Sequence, residues 1–445
     1  MEANSISTST FGLQPSAFEI GPVRQDELDA MLGVMCAAYE LPFAAARPIF
    51  YADPYFELEN KRVLRVDGHI VSCLTITEAR CWIGKAVVPL AGIAGLATLP
   101  HAQRQGYAGL LLTATLQTLD ERGIGLVGLY PYDDLYYRRL GWETASTACH
   151  LSLMPESLPH FPESANVRPA CPDDTPHMQR LYDAYARERT LHAVRDEKRW
   201  EYLSDRVPER HVYAGLKGNI EGYLLYDFQP GTVQVGTQKA AVLPSLRIME
   251  LCAATQAARR GLIGYLARQT GIGNIEYEGA WPTLNASGFL DVPYPAGASN
   301  TFATMQMVSA VMLRVVNFPR LLHALRPNWN DFNGGLTLAL HDDHLPRQTN
   351  TVTIEGNGRG LPEVSSQNIE AEKERQGDEA NQSKILSSSG VAGDVRTWSQ
   401  VVIGYMSGED ACALDLLRAS SEQAAVLVGR LFPARTPFLP APDHF

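Results

Sequence analysis

The residues from 91 to 109, AGIAGLATLPHAQRQGYAG, carry the most suggestive chemical spacing in the chain. IAGLATL is a small, apolar, strand-like run that breaks at Pro100. Gln103-Arg104-Gln105-Gly106-Tyr107-Ala108 then leads into a helical run, GYAGLLLTATLQTLDERG. A strand, a polar turn with Gly and Arg, and a helix N-terminus make an anion site. The first helical N–H groups have no partner inside the helix, and that end of the dipole is positive. Gly106 and Ala108 are small, so a phosphate can come close to the backbone. Gly123 is expected just past the helix end.

That turn needs strands on either side to hold it. Phe18–Val23 reads as a first strand, followed by a helix, ELDAMLGVMCAAYE. Its Leu28, Met31, Leu32, Met35 and Cys36 recur at helical spacing and read as core. Lys61–Val66 and His69–Thr77 flank Asp67-Gly68, a hairpin signal. Cys81–Leu90 is expected as another strand. After Gly123, GIGLVGLYPY is a continuous apolar run that fits a strand covered on both faces.

Two motifs in order carry a family resemblance. Q-x-x-G-x-A at 103–108 resembles the acyl-coenzyme A signature of the GNAT acetyltransferases. LYPY at 129–132 with YYRRLGW at 136–142 is similar to the LYPF…FYRRFGY segment of the bacterial Eis (enhanced intracellular survival) family. The resemblance implies an α+β chain of tandem GNAT domains plus a sterol carrier protein-like domain. Its borders fall at 1–155 for the catalytic GNAT domain with the acyl-CoA site, 156–305 for a degenerate second GNAT domain, and 306–445 for the last. The C-terminus is expected to return to the active site.

The residues themselves support an internal repeat. From Val167, VRPACPDDTPHMQRLYDAYARERT repeats the strand, acidic cap and amphipathic helix of the opening. RHVYAGLKGNIEGYLLYDF reads as strand, turn and strand. LRIMELCAATQAARRGLIGYLARQTG gives a strand and helix with no Q-x-x-G-x-A between them. Arg195 and Trp200 resemble an Arg-plus-Trp segment of the family. Residues 277–304 are rich in Gly, Pro, Ala and Ser, as at a domain border. VMLRVVNFPRLLHAL predicts a strand, a turn at Asn317-Phe318-Pro319, and a helix. LTLALHDDH and TVTIEG read as strands, and residues 356–395 as a polar, disordered insert. TWSQVVIGYMSG is expected as a strand, then EDACALDLLRAS and SEQAAVLVGRLF as helices.

Acyl transfer to an amine needs an anion cradle, an oxyanion donor, a base and an acid. The resemblance assigns the cradle to Gln103, Arg104, Gln105, Gly106, Tyr107 and Ala108. Leu96, Ala97 and Thr98 take the pantetheine arm as an added strand and supply an oxyanion N–H. Tyr137 is the candidate general acid, a phenol with a reference pKa of about 10. The terminal carboxylate of Phe445, reference pKa near 3.5, is the candidate base. Asp133, Asp134 and His444 are placed toward the acceptor, and His444 is expected to titrate near neutrality. The implied donor is acetyl-CoA. The implied acceptor is a primary amine: a polyamine, an aminoglycoside-like compound or a lysine. A hydroxyl acceptor or a longer acyl donor fits the same motifs. The competing readings are a non-catalytic CoA-binding protein and a lipid-binding module built on the C-terminal domain.

Composition narrows the field. The chain has 445 residues and a net charge of −11, which argues against nucleic-acid binding and favours cationic substrates. Seven cysteines are scattered with no C-x-x-C, as expected of free thiols in a reducing compartment. The N-terminus lacks the pattern of a signal peptide, and no apolar run reaches membrane-span length. A cytoplasmic location is expected, and a homo-oligomer, hexameric by resemblance. His341-Asp342-Asp343-His344 reads as a polar turn rather than a metal site.

Overall fold

The Asp67-Gly68 turn behaves as its residues require: both take positive φ, 49° and 80°. In a computed structural model, which describes residues 18–215, 218–235, 238–280, 303–345, 350–367 and 390–444, this turn opens a mixed sheet. Along the chain come β1 (Phe18–Pro22), helices α1 (Leu28–Tyr39) and α2 (Phe43–Tyr51), then β2 (Lys61–Val66), β3 (His69–Ile83) and β4 (Ala86–Thr98). Helix α3 (Tyr107–Glu121), β5 (Leu126–Leu129), helix α4 (Asp134–Arg138) and β6 (Glu143–Thr144) follow. α3 lays Leu110, Leu111, Leu112, Leu116 and Leu119 into the core. It stops where Gly123 adopts a φ of 75° and Ile124 N–H reaches back to Leu119 O at 3.0 Å.

The second sheet takes β7 (Thr147–Leu153), β8 (Val167–Pro169), β9 (Glu209–Ala214), β10 (Ile220–Val235), β11 (Gln238–Ala253), β12 (Asn274–Ala280) and β13 (Ala303–Ser309). Its helices are α5 (Thr175–Arg187), α6 (Glu197–Arg206) and α7 (Gln256–Leu266). β14 (Met312–Val315) then returns to the first sheet, whose order is β1-β2-β3-β4-β5-β14-β6. The two sheets therefore exchange strands. β7 falls inside residues 1–155 yet pairs with β12 and β13 of the second sheet, while β14 falls inside 306–445 yet pairs with β5 and β6 of the first.

A third sheet has the order β17-β16-β15-β18-β19, from β15 (Asn333–His341), β16 (Asn350–Asn357), β17 (Glu363–Gln367), β18 (Gly390–Asp394) and β19 (Leu417–Ala419). Its core is continuous with the far half of β3 and β4. Ile83, Val88 and Leu90 share one buried cluster with Phe318, Leu322, Trp398 and Phe432. The indole N–H groups of Trp329 and Trp398 donate to Leu431 O and Ala339 O, both at 2.8 Å. A buried indole usually finds such a partner, because an unpaired N–H costs free energy.

Four sequence expectations need correction. β3 and β4 are two long strands turning at Gly84 (φ 59°), not a strand at His69–Thr77 and another at Cys81–Leu90. The expected strand in TWSQVVIGYMSG is a helix, Val395–Val401, because Asp394 caps Thr397 N–H at 2.7 Å and Trp398, Val401 and Val402 bury one face. EDACALDLLRAS is helical only over Gly408–Ala413. Asp415 then takes a φ of 57° and Leu417–Ala419 joins the third sheet. The polar insert is not loop throughout: β17 pairs with β16, and β18 with β15 and β19. Its middle, 368–389, and most of the expected border at 277–304 lie outside the described residues. Among the described residues no helix is long and apolar enough to cross a membrane.

Candidate active site

The site begins with a fault in β4. Thr75 pairs with Ala94 and Cys73 with Ala97, so Gly95 and Leu96 together face Leu74. Such a bulge needs one residue in a left-handed conformation, and Gly95 supplies it with a φ of 58°. A Cβ there would also lie 2.5 Å from Met35 Cε. Just before the bulge β4 leaves its other neighbour. β4 and β5 pair in parallel from Leu90↔Leu126 to Ile93↔Leu129, and β5 then ends while β4 runs on to Thr98. One edge of Ala94–Thr98 is left without a strand partner, which is the edge an extended acyl arm can extend. Ser72 Oγ fixes the opposite edge, donating to Ala97 O at 2.8 Å and lying 2.9 Å from Thr98 Oγ1.

The same strand delivers the chain into the anion turn. Gln103, Arg104 and Gln105 are exposed, Gly106 and Ala108 are half-buried, and the Tyr107 ring is buried in the core. Tyr107 can therefore offer a ligand only its backbone. Arg104 and Gly106 both have positive φ, 62° and 81°. Gly106 is the N-cap of α3 and no side chain caps that helix. The first amides of α3 thus point out of a glycine-opened turn beside the Arg104 charge. This arrangement suits a diphosphate.

Helix α4 places the phenol. Asp133 caps it, accepting from Leu135 N–H at 2.9 Å and Tyr136 N–H at 3.2 Å, with Asp134 in its first turn. Asp133, expected to face the acceptor, thus has its carboxylate engaged in this cap. Tyr137 is buried, edge-on to Trp142 at 6.3 Å and to Tyr136 at 5.1 Å. Burial, reinforced by Tyr136, Tyr39 and Asp133, raises the Tyr137 phenol above its ordinary value, and burial pushes Tyr136 up to about 12. At neutral pH the Tyr137 phenol keeps its proton, as a general acid must. Tyr39, not singled out from sequence, closes the group. From the end of α1 its hydroxyl donates to Leu96 O at 2.8 Å, on the bulge itself. Its position at the C-terminal edge of an amphipathic helix gave no sign of this contact.

Two buried arginines tie the C-terminal third of the chain to this region. Arg314, on β14, donates to Leu140 O at 3.0 Å, in the turn after Tyr137, and to both Asp342 oxygens at 3.0 and 2.8 Å. The pair is fully buried. Asp342 lies in the polar turn His341–His344, and no group of metal-ligand side chains occurs among the described residues. Arg195 lies between Glu250 and Asp443, and its side chain is 0% exposed. Asp443 belongs to the chain's last segment, which passes Tyr130 at the end of β5. The rings of His444 and Tyr130 are 4.3 Å apart. Burial lowers His444 to about 4, so it is neutral at pH 7 and does not titrate near neutrality as expected. Phe445 lies outside the described residues.

Comparison with known proteins places each part of the chain in a domain family. Residues 19–145 and 191–293 each match an acetyltransferase (GNAT) domain model, and residues 318–440 match a sterol carrier protein domain model. None of the curated proteins matches the chain. Among solved structures, a GCN5-related N-acetyltransferase from Anabaena variabilis is 20% identical with a TM-score of 0.74, over 96% of this chain and 100% of that one. One from Kribbella flavida is 19% identical with a TM-score of 0.72, over 97% and 99%. Eis1 from Mycobacterium abscessus is 18% identical with a TM-score of 0.64, over 96% and 100%.

Proposed function

We propose that this chain, a GNAT-family N-acetyltransferase with the three-domain architecture of Eis, moves an acetyl group from acetyl-CoA to a primary amine. The observation that carries the reading is one continuous strand-turn-helix. It offers an unpaired strand edge at Ala94–Thr98 and an uncapped helix N-terminus at Gly106.

In this reading the α3 amides and Arg104 hold the diphosphate, and Leu96–Thr98 align the acyl arm. The amine attacks the thioester carbonyl, forming a C–N bond as the C–S bond breaks. A backbone N–H of Leu96–Thr98 donates to the carbonyl oxygen as its charge develops. The departing thiolate takes the Tyr137 proton. The proton lost by the amine goes to the carboxylate of Phe445, directly or through water. A terminal carboxylate is a weak base at its reference pKa of about 3.5, and desolvation or a relaying water would strengthen it. The acceptor is a polyamine, an aminoglycoside-like compound or a lysine side chain.

The test is calorimetry with coenzyme A, together with thiol release from acetyl-CoA in the presence of spermidine, kanamycin or a lysine peptide. Binding with amine-dependent release is expected. A full-length, folded chain that shows no affinity for coenzyme A overturns the reading.

A further inference from the structure

We propose that Arg195 is a positioning residue that clamps Asp443 and so seats the segment 438–444 beside the first-domain cleft at Tyr130. The proposal rests on the acetyltransfer reading only in its last step, that the residue following His444 carries the base.

The clamp sits in the second domain at a place equivalent to the strand edge of the first. β11 carries a bulge of its own: Tyr226 pairs with Ile248 and Leu225 with Glu250, leaving Met249 extra. β11 also parts from β12 after Ile248↔Tyr277. Glu250 is thus on β11 just beyond the parting, where the first domain has Leu96–Ala97. Arg195 donates to Glu250 at 3.0 Å through Nη1 and to Asp443 at 2.9 Å through Nε and Nη2. The Tyr182 hydroxyl donates to Asp443 at 3.1 Å, and the Tyr223 hydroxyl to Glu250. Arg199 adds a bond to Pro442 O. Upstream, Phe438 N–H donates to Thr190 O at 3.0 Å and Phe438 and Leu439 are buried.

Arg195 faces both carboxylates, and Arg199 Nε lies 3.5 Å from Asp443 as a second, less buried partner, so two guanidinium groups balance two carboxylates. Removing the Asp443 charge leaves Arg195 paired with Glu250 and takes one carboxylate from Arg199, the more exposed of the two arginines. Removing it also takes away the charge-assisted bonds that hold the segment in place. Between Asp443 and Tyr130 there is only one residue, His444, so the register of the last residues is set here.

The experiment uses full-length Asp443→Asn and Arg195→Lys, with hydrogen exchange of residues 438–444 and steady-state kinetics against acetyl-CoA. In Asp443→Asn, exchange at the Phe438, Asp443 and His444 amides should quicken at least tenfold. The kcat should fall at least tenfold with KM for acetyl-CoA within twofold of the parent, and Arg195→Lys, which keeps the charge and loses the fork of donors, should show smaller changes of the same kind. A loss that appears in KM for acetyl-CoA, or tail exchange unchanged from the parent, overturns the clamp. A loosened tail with unchanged kcat overturns its positioning role. A parent chain that releases no thiol removes the acetyltransfer reading, while the exchange data still judge the clamp.

Discussion

The β4–α3 crossing of the first GNAT unit and the β11–α7 crossing of the second are built alike and end differently. Each has a bulged strand, a parting from its parallel neighbour, and a helix that starts beyond the strand end. At α3 the N-cap is Gly106 with a φ of 81° and no side-chain cap. At α7 the N-cap is Thr255, extended at φ −129°, whose Oγ1 accepts from Ala258 N–H at 3.1 Å. The same hydroxyl donates to Glu221 at 2.9 Å, which brings a carboxylate to the positive end of the helix. The second helix end is closed by its own side chains, and its strand edge faces the Arg195 cluster. In the proposed reading, a fold shared by two units makes only one cofactor site. The first turn of the helix decides.

The largest break in this comparison comes at Tyr137. Tyr137→Phe removes the phenolic proton and leaves the ring packed against Trp142. The expected loss is about a hundred- to ten-thousand-fold in kcat, with coenzyme A affinity by calorimetry unchanged. Undiminished turnover would remove Tyr137 from the mechanism.

Next in size is Asp342→Ala. It leaves the Arg314 guanidinium buried without its carboxylate, a loss worth about 3–5 kcal/mol. Urea denaturation measures it. Because Arg314 also holds Leu140 O, the variant should lose stability in the first GNAT unit as well as the third sheet. A change under about 1 kcal/mol would mean that the pair contributes little to holding that turn.

Much of this was legible because local chemistry dictated it. The turn at Asp67-Gly68, the stop at Gly123 and the Q-x-x-G-x-A turn all follow from backbone needs of particular residues, whereas the turn expected over Asn317-Phe318-Pro319 shrinks to an Asn317 N-cap with the helix starting at Phe318. What escaped depends on long-range pairing. Met312–Val315 reads as a strand opening the last domain and Thr147–Leu153 carries no reading at all, and only the sheets reveal that both cross over. WSQVV looked like a strand because its apolar residues are adjacent. The cap at Asp394 is what turns them into a helical face. Asp443 and Tyr39 were hidden for the same reason, and Arg195, marked by the resemblance, gave no sign of its carboxylate partners. A buried charge or a long-range hydroxyl contact leaves no mark on the residues around it.

Gly106→Ala tests the open helix end directly. An alanine held at a φ near 81° costs about 1–2 kcal/mol, and its methyl would obstruct the approach of the proposed diphosphate. Coenzyme A affinity should weaken about ten- to a hundredfold, since 1.4 kcal/mol is a factor of ten. The melting midpoint should move by only a few degrees. Unchanged affinity would place the diphosphate somewhere other than this turn.

The smallest effect is the mirror of that test. Thr255→Ala removes the cap of α7, which should lower stability by about 1 kcal/mol. It should leave the coenzyme A isotherm of the full chain unaltered. Opening this helix end should not create a second site, because the Glu221 carboxylate remains at its positive terminus and disfavours a second anion. The stoichiometry should stay at about one per chain. A second binding event in Thr255→Ala would show that the cap alone closes the site, and the comparison would then turn on one hydroxyl rather than on the whole turn. A stoichiometry unchanged by Thr255→Ala but raised by Thr255→Ala with Glu221→Gln would assign the closure to the carboxylate.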